Sequence, residues 1–124
     1  MGSTRKILVI DDNIDAADLT AELLRHYDLD VDVAYGGIEG VAAAKALVPD
    51  VLFLDIGMPF MDGYAVARAL RGEAALQRMK IVALTAWGDQ SARDQTKAAG
   101  FDLHLVKPAQ LSELIDIASG MQLG

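Results

Sequence analysis

The chain of 124 residues contains no cysteine. Disulfides and thiolate metal sites are therefore excluded, and the composition suits the cytoplasm, the expected location. No apolar run approaches the roughly 18 residues that a membrane-spanning helix needs. The N-terminus lacks the long apolar core of a signal peptide. Basic residues are outnumbered: 11 Lys and Arg stand against 18 Asp and Glu, for a formal charge of −7. Such a surface is repelled by phosphate backbones, so neither nucleic acid nor membrane is an expected partner. No Gly-x-Gly-x-x-Gly follows the first apolar run, which argues against a nucleotide-binding fold. No histidine or cysteine sits at ligand spacing, so zinc is disfavoured. Repeats, linkers and low-complexity tracts are also missing.

What is present fits one domain, and 52% hydrophobic residues can bury a core of that size. Residues 1–4 read as a leader or cloning remnant and residues 5–124 as the domain. Short apolar runs alternate with helix-period segments throughout. Strands are expected at Lys6–Ile10, Val31–Tyr35, Val51–Leu54, Ile81–Leu84 and Leu103–Val106. Helices are expected at Asn13–His26, Ile38–Leu47, Tyr64–Arg71, Asp89–Ala99 and Gln110–Met121. Ala16, Leu19, Leu23 and Tyr27 share helical spacing in the first. Leu111, Leu114, Ile115 and Ala118 share a face of the last. Gly36-Gly37 makes a turn, Pro49 stops one helix and Gly100 closes another. Val31–Tyr35 alternates valine with aspartate as an edge strand does, whereas Val51–Leu54 is apolar throughout, as a strand covered on both faces should be.

The reading is an α/β fold: one doubly wound, flavodoxin-like (βα)5 domain with helices on both faces of a parallel sheet. Strand order 2-1-3-4-5 puts the first and third strands together at the switch point, where ligands bind outside the carboxyl ends. The strand ends there are Asp11-Asp12, Asp55, Thr85 and Lys107-Pro108. Packed carboxylates raise one another's pKa unless a cation balances them. Oxygen ligands favour Mg²⁺, with Mn²⁺ as the substitute. Asp55, single and central, is the candidate nucleophile toward phosphorus. The metal and the Thr85 and Lys107 side chains would each take one phosphoryl oxygen. Pro108 fixes the backbone beside Lys107 and is a candidate for a cis bond. Each piece alone has a plainer reading: Asp11, Asp12 or Asn13 could cap the first helix, Thr85 could cap or turn, and a lysine is usually solvated. All four strand ends matching is what carries the argument.

Asp11-Asp12, Asp55-Ile56-Gly57-Met58-Pro59-Phe60-Met61-Asp62-Gly63, Thr85-Ala86 and Lys107-Pro108 resemble the receiver domain of two-component response regulators, over roughly Arg5 to Met121. The resemblance implies that Asp55 is the phosphoacceptor. It implies that Asp12, Asp55 and the Gly57 carbonyl bind Mg²⁺, with Asp11 assisting through water. Thr85 and Lys107 would read the phosphoryl group, flanked by Ala86 and Pro108. The donor would be a phosphohistidine on a histidine kinase or phosphotransfer domain, and a downstream protein, not readable here, would receive the signal. Such a domain is not a turnover enzyme. A single-domain regulator, a phosphate shuttle and a hybrid-kinase receiver all stay open, and the Gly57 form and the Phe101–Pro108 segment look most like the last.

Three positions set this chain apart. His104 stands where the family usually has Tyr or Phe, as a smaller, titratable switch ring or a plain exposed residue. Gly57 puts no side chain over the phosphoryl group. Trp87 puts a large one there, to shield it from water or simply to pack on the surface. The helix Asp89–Ala99 has no large aliphatic residue to bury, so it is weakly anchored and expected to move on phosphorylation with the strand carrying His104. Two other functions compete. An aspartate-nucleophile phosphohydrolase of the haloacid-dehalogenase type needs an Asp where Gly57 stands. A binding module acting without phosphorylation has no need of all five site side chains.

Overall fold

A computed structural model describes residues 4–120. The leader reading at residues 1–3 and the Met121 end of the last expected helix fall outside that range. The strands are β1 (Lys6–Ile10), β2 (Asp30–Ala34), β3 (Val51–Asp55), β4 (Lys80–Thr85) and β5 (Leu103–Val106). The helices are α1 (Ile14–Arg25), α2 (Gly37–Leu47), α3 (Gly63–Arg71), α4 (Gln90–Ala99) and α5 (Leu111–Ala118). A short 3-10 turn at Ala74–Leu76, which the sequence pattern did not reveal, precedes β4 and buries Leu76. All strand pairs are parallel, in the order β2-β1-β3-β4-β5.

Alternation along the strands builds two cores. Leu8, Ile10, Leu52, Leu54, Ile81 and Ala83 face α2, α3 and α4, meeting Ala44, Val66, Leu70 and Ala99. Ile7, Val9, Val51, Phe53, Val82 and Leu84 face α1 and α5, meeting Ala17, Ala21, Leu24, Leu114 and Ile117. Every residue of β3 is buried. Each fully buried leucine or phenylalanine contributes about 1.5–3 kcal/mol, so the strand that ends in Asp55 is among the most firmly held.

The stripe of Ala16, Leu19, Leu23 and Tyr27 is not the one that α1 buries. Ala17, Ala21 and Leu24 meet the sheet, while Leu19 is 60% exposed and Tyr27 is exposed as well. Two adjacent stripes shared helical spacing, and the one with alanines won because it lets the helix lie close to the strands. Ala16, Leu19 and Leu23 line an apolar groove with Leu111 and Leu114 of α5 instead. In α5 the buried stripe is Leu114, Ile117 and Ala118, with Leu111 and Ile115 only half-buried on its flanks.

Helix ends aim the site. Asn13 caps α1, its Oδ1 accepting from Ala16 N at 3.1 Å. Asp62 caps α3, its Oδ1 accepting from Ala65 N at 2.9 Å. Gly100 closes α4 at φ 101°, a left-handed conformation that favours glycine. Gly63 is required for a different reason: a Cβ there would lie 2.5 Å from the Asp55 carbonyl oxygen and 2.8 Å from Ile56 Cα. The start of α3 is thus pressed against the backbone that carries Asp55. Gly63→Ala is expected to destabilise the fold by about 1–3 kcal/mol, the usual cost of overpacking, as read by urea denaturation.

Candidate functional site

Strand register assembles the site. Ile10 is opposite Leu54, so Asp11, one residue past β1, comes beside Asp55 at the end of β3. Asp55 is in turn opposite Leu84, which places Thr85 next to it. Lys107 follows β5 and its N–H donates to the Thr85 carbonyl at 2.8 Å. Because Asn13 caps α1, neither Asp11 nor Asp12 is spent as the cap. Asp11 Oδ1 accepts from Asn13 N at 3.0 Å.

Asp11, Asp55 and Thr85 are buried and Asp12 is exposed. One oxygen from each of Asp11, Asp12 and Asp55 falls within 4.8 Å of the others. Lys107 Nζ donates to Asp55 Oδ1 at 2.9 Å and to Asp11 Oδ2 at 3.5 Å. These groups line a cavity of about 430 Å³ together with Gly57, Ala86 and Trp87. A Cβ on Gly57 would meet nothing within 4 Å, so that side of the cavity is open. The Lys107–Pro108 peptide bond is cis.

Three carboxylates against one ammonium leave negative charge in excess. Burial raises the Asp11 pKa above 3.8 and the charge of Asp55 adds to the rise, against lowering by the Asn13 N–H and Lys107. Burial works to lower the Lys107 pKa, but its hydrogen bond to Asp55 and the charges of Asp55 and Asp11 outweigh it and hold the ammonium above 10.5. The donor set is all oxygen, which suits a hard divalent cation.

The expected switch positions are also placed. Trp87 is 70% exposed at the mouth of the cavity, and its backbone N–H donates to Thr85 Oγ1 at 3.1 Å. His104 is partly buried, with Nε2 2.7 Å from the Trp87 carbonyl oxygen and Nδ1 3.0 Å from Thr96 Oγ1. It therefore does not stand free on the sheet edge. Thr96 went unnoticed in the sequence. Its signal was a lone hydroxyl on the Ala92-Thr96-Ala99 stripe that α4 buries.

The family profile for the response regulator receiver domain matches residues 7–119. The chain belongs to this family. The receiver is 34% identical over 110 residues to the DNA-binding dual master transcriptional regulator RpaA of Synechocystis sp., covering 89% of this chain and 46% of that protein. It is 32% identical over 109 residues to hybrid signal transduction histidine kinase D of Dictyostelium discoideum, covering 88% of this chain and 7% of the kinase. The receiver thus spans about half, or far less, of the length of these relatives. Among solved structures, Vibrio cholerae chemotaxis protein CheY4 superposes with a TM-score of 0.89 at 27% identity, covering 97% of this chain and all of that one. A response regulator from Chloroflexus aurantiacus gives 0.87 at 29% identity, covering 95% of this chain and 97% of that one. Receiver domains bind Mg²⁺ through an acidic cluster, and this receiver brings Asp11, Asp12 and Asp55 together. Among the described residues, no helix is long and apolar enough to cross a membrane.

The raised Asp11 pKa fixes the sign of a pH effect. Folded receiver holds the Asp11 proton more tightly than unfolded chain, so metal-free stability falls as pH climbs above 3.8 through that titration. Asp11→Asn is expected to lack this fall and to melt higher than the native chain at neutral pH without metal. Thermal denaturation across pH, with chelator present, measures it.

Proposed function

We propose that Asp55 accepts a phosphoryl group from the phosphohistidine of a histidine kinase or phosphotransfer domain. The observation that carries this reading is the Lys107 ammonium bonded to a buried Asp55 at the mouth of an otherwise acidic cavity. Asp55 Oδ1 takes the lysine, and Oδ2 accepts no hydrogen bond among the described residues. One carboxylate oxygen of Asp55 would be the attacking atom and the other would stay with the metal. A lone pair of the attacking oxygen forms the O–P bond while the P–N bond to the donor imidazole breaks, and that imidazole leaves with the electron pair.

Asp12, Asp55 and the Gly57 carbonyl would hold Mg²⁺ directly, with Asp11 assisting through water. Bound there, the cation would neutralise charge that builds on the phosphoryl oxygens. Lys107 would then hold one phosphoryl oxygen and the Thr85 hydroxyl would donate to another. The receiver takes one phosphoryl group per cycle and does not turn over substrate as an enzyme does. Gly57 has no carboxylate to act as the acid of a phosphohydrolase, and the assembled site gives no support to a module that binds without phosphorylation. Trp87, at the cavity mouth, slows water's approach to the acyl phosphate. The downstream protein would read the face formed by α4 and β5.

Incubation with acetyl phosphate and Mg²⁺ is expected to add one phosphoryl mass to the intact chain, and none to Asp55→Asn or in chelator. Addition to Asp55→Asn at the native rate would refute the assignment. Trp87→Ala is expected to shorten the lifetime of the phosphorylated form by about tenfold, a small share of the barrier. An unchanged decay by mass or Phos-tag gel would remove the shielding role.

A further inference from the structure

Phe60 sits at φ 67°, in the left-handed region where a bulky residue is an outlier. Across it the Met61 N–H donates to the Pro59 carbonyl at 2.7 Å, so Phe60 is the centre of a γ-turn of the rare, strained form. Glycine or asparagine would take that conformation at lower cost. The ring is nevertheless fully exposed and gains no burial within the chain. The loop beneath it is braced. The Gly63 N–H donates to the Ile56 carbonyl at 2.9 Å, and a Cβ on Gly37 would run into the Met61 carbonyl. Strain kept in a braced loop, under a side chain with no internal partner, points to a contact outside the chain.

A cavity of about 170 Å³ opens beside Phe60, lined also by Asp12, Tyr35, Ile38 and Glu39. Sites for cofactors and small molecules usually enclose roughly 300–1,000 Å³, so this one suits a single side chain. Tyr35 and Ile38 are exposed too. The Tyr35 hydroxyl donates to Asp18 Oδ1 at 2.6 Å, which orients its ring. Both charged lining residues are carboxylates, and Glu39 makes no ion pair among the described residues. Aromatic rings beside carboxylates attract a guanidinium or an ammonium. A second copy of this chain, with its net charge of −7, would be repelled.

Asp12 also lines the cavity at Asp55, so the two cavities adjoin. A protein that brings a phosphohistidine to Asp55 passes over Asp12 and covers the neighbouring pocket. Tyr35 follows β2, and Ile38 and Glu39 begin α2, so the pocket lies toward the β2 edge of the sheet. A protein that reads α4 and β5, at the other edge, leaves it bare. We propose that this pocket seats an arginine or lysine side chain of the phosphodonor protein, with Phe60 and Ile38 packing against apolar residues beside that cation. The inference rests on Asp55 as the acceptor from phosphohistidine and adds where the donor is gripped.

The test compares a protein donor with a small one. The protein donor is whichever of a panel of phosphorylated histidine phosphotransfer domains labels the native receiver fastest. The small donor is acetyl phosphate with Mg²⁺. Phe60→Ala and Glu39→Lys are each expected to slow transfer from the protein donor by about tenfold, as loss of a central interface contact does, and to leave labelling by acetyl phosphate unchanged. Phe60→Gly, which relieves the backbone, is expected to melt no lower than the native chain and still to transfer slowly. Phe60→Tyr should transfer as the native chain does. Added salt is expected to slow transfer to the native receiver more than to Glu39→Lys. Native rates of transfer to Phe60→Ala and Glu39→Lys would overturn the proposal. Equal losses with both donors would also overturn it, by placing these residues in the phosphoryl chemistry rather than in docking. A dimer in sedimentation that Phe60→Ala dissociates would overturn it in favour of a second copy. Failure of acetyl phosphate to label the native chain at Asp55 would strike the acceptor reading itself, and this inference with it.

Discussion

The Lys107 ammonium between Asp55 and Asp11 is the interaction on which the arrangement depends. Two buried carboxylates at adjacent strand ends repel each other, and Asp12 adds a third at the rim. One lysine cannot balance them, and the Asp11 pKa is raised, by burial first and by the Asp55 charge in addition. The fold holds this frustration in place because β3 is buried along its whole length and Gly63 lets α3 press on the backbone at Asp55. Negative charge left unbalanced attracts a divalent cation, and with that cation in place a phosphoryl group would no longer be repelled. Binding energy that the fold does not recover by itself is then available to function.

The five helices are not anchored alike. α1 buries Ala17, Ala21 and Leu24, and α3 buries Val66, Ala67 and Leu70. α4 buries only Ala92, Thr96 and Ala99. Polar contacts compensate. At its far end, Arg71 donates to the Gly100 and Met79 carbonyls and pairs with Asp102, which also accepts from Ile81 N. Nearer the site, His104 joins Thr96 to the Trp87 carbonyl. α4 is thus clamped at one end and tied at the other by groups whose hydrogen bonds can be redrawn. Such an element can shift without opening the sheet.

Much of this was legible in the sequence because two signals agreed. Apolar runs of strand length marked the sheet, and the polar residues just past them marked its ligand edge. Asp11, Asp12, Asp55, Thr85 and Lys107 could be named without coordinates for that reason. Helix faces were harder. Period 3.6 allows two stripes on α1, one through Ala16, Leu19 and Leu23 and one through Ala17, Ala21 and Leu24, and it is the second that lies against the sheet. The partner of His104 was hidden for a related reason: Thr96 reads as one more polar residue of a polar helix until the fold shows that α4 turns its small side inward. The 3-10 turn at Ala74–Leu76 is too short to leave a periodic trace.

The most direct test of the account locates the phosphoryl bond itself. Acid-quenched phosphorylated protein would be treated with borohydride, which reduces an aspartyl phosphate to homoserine, and its peptides sequenced by mass spectrometry. The account predicts homoserine at position 55 and at no other aspartate. Homoserine at position 11 or 12, or a phosphorylated chain that yields none, would contradict it.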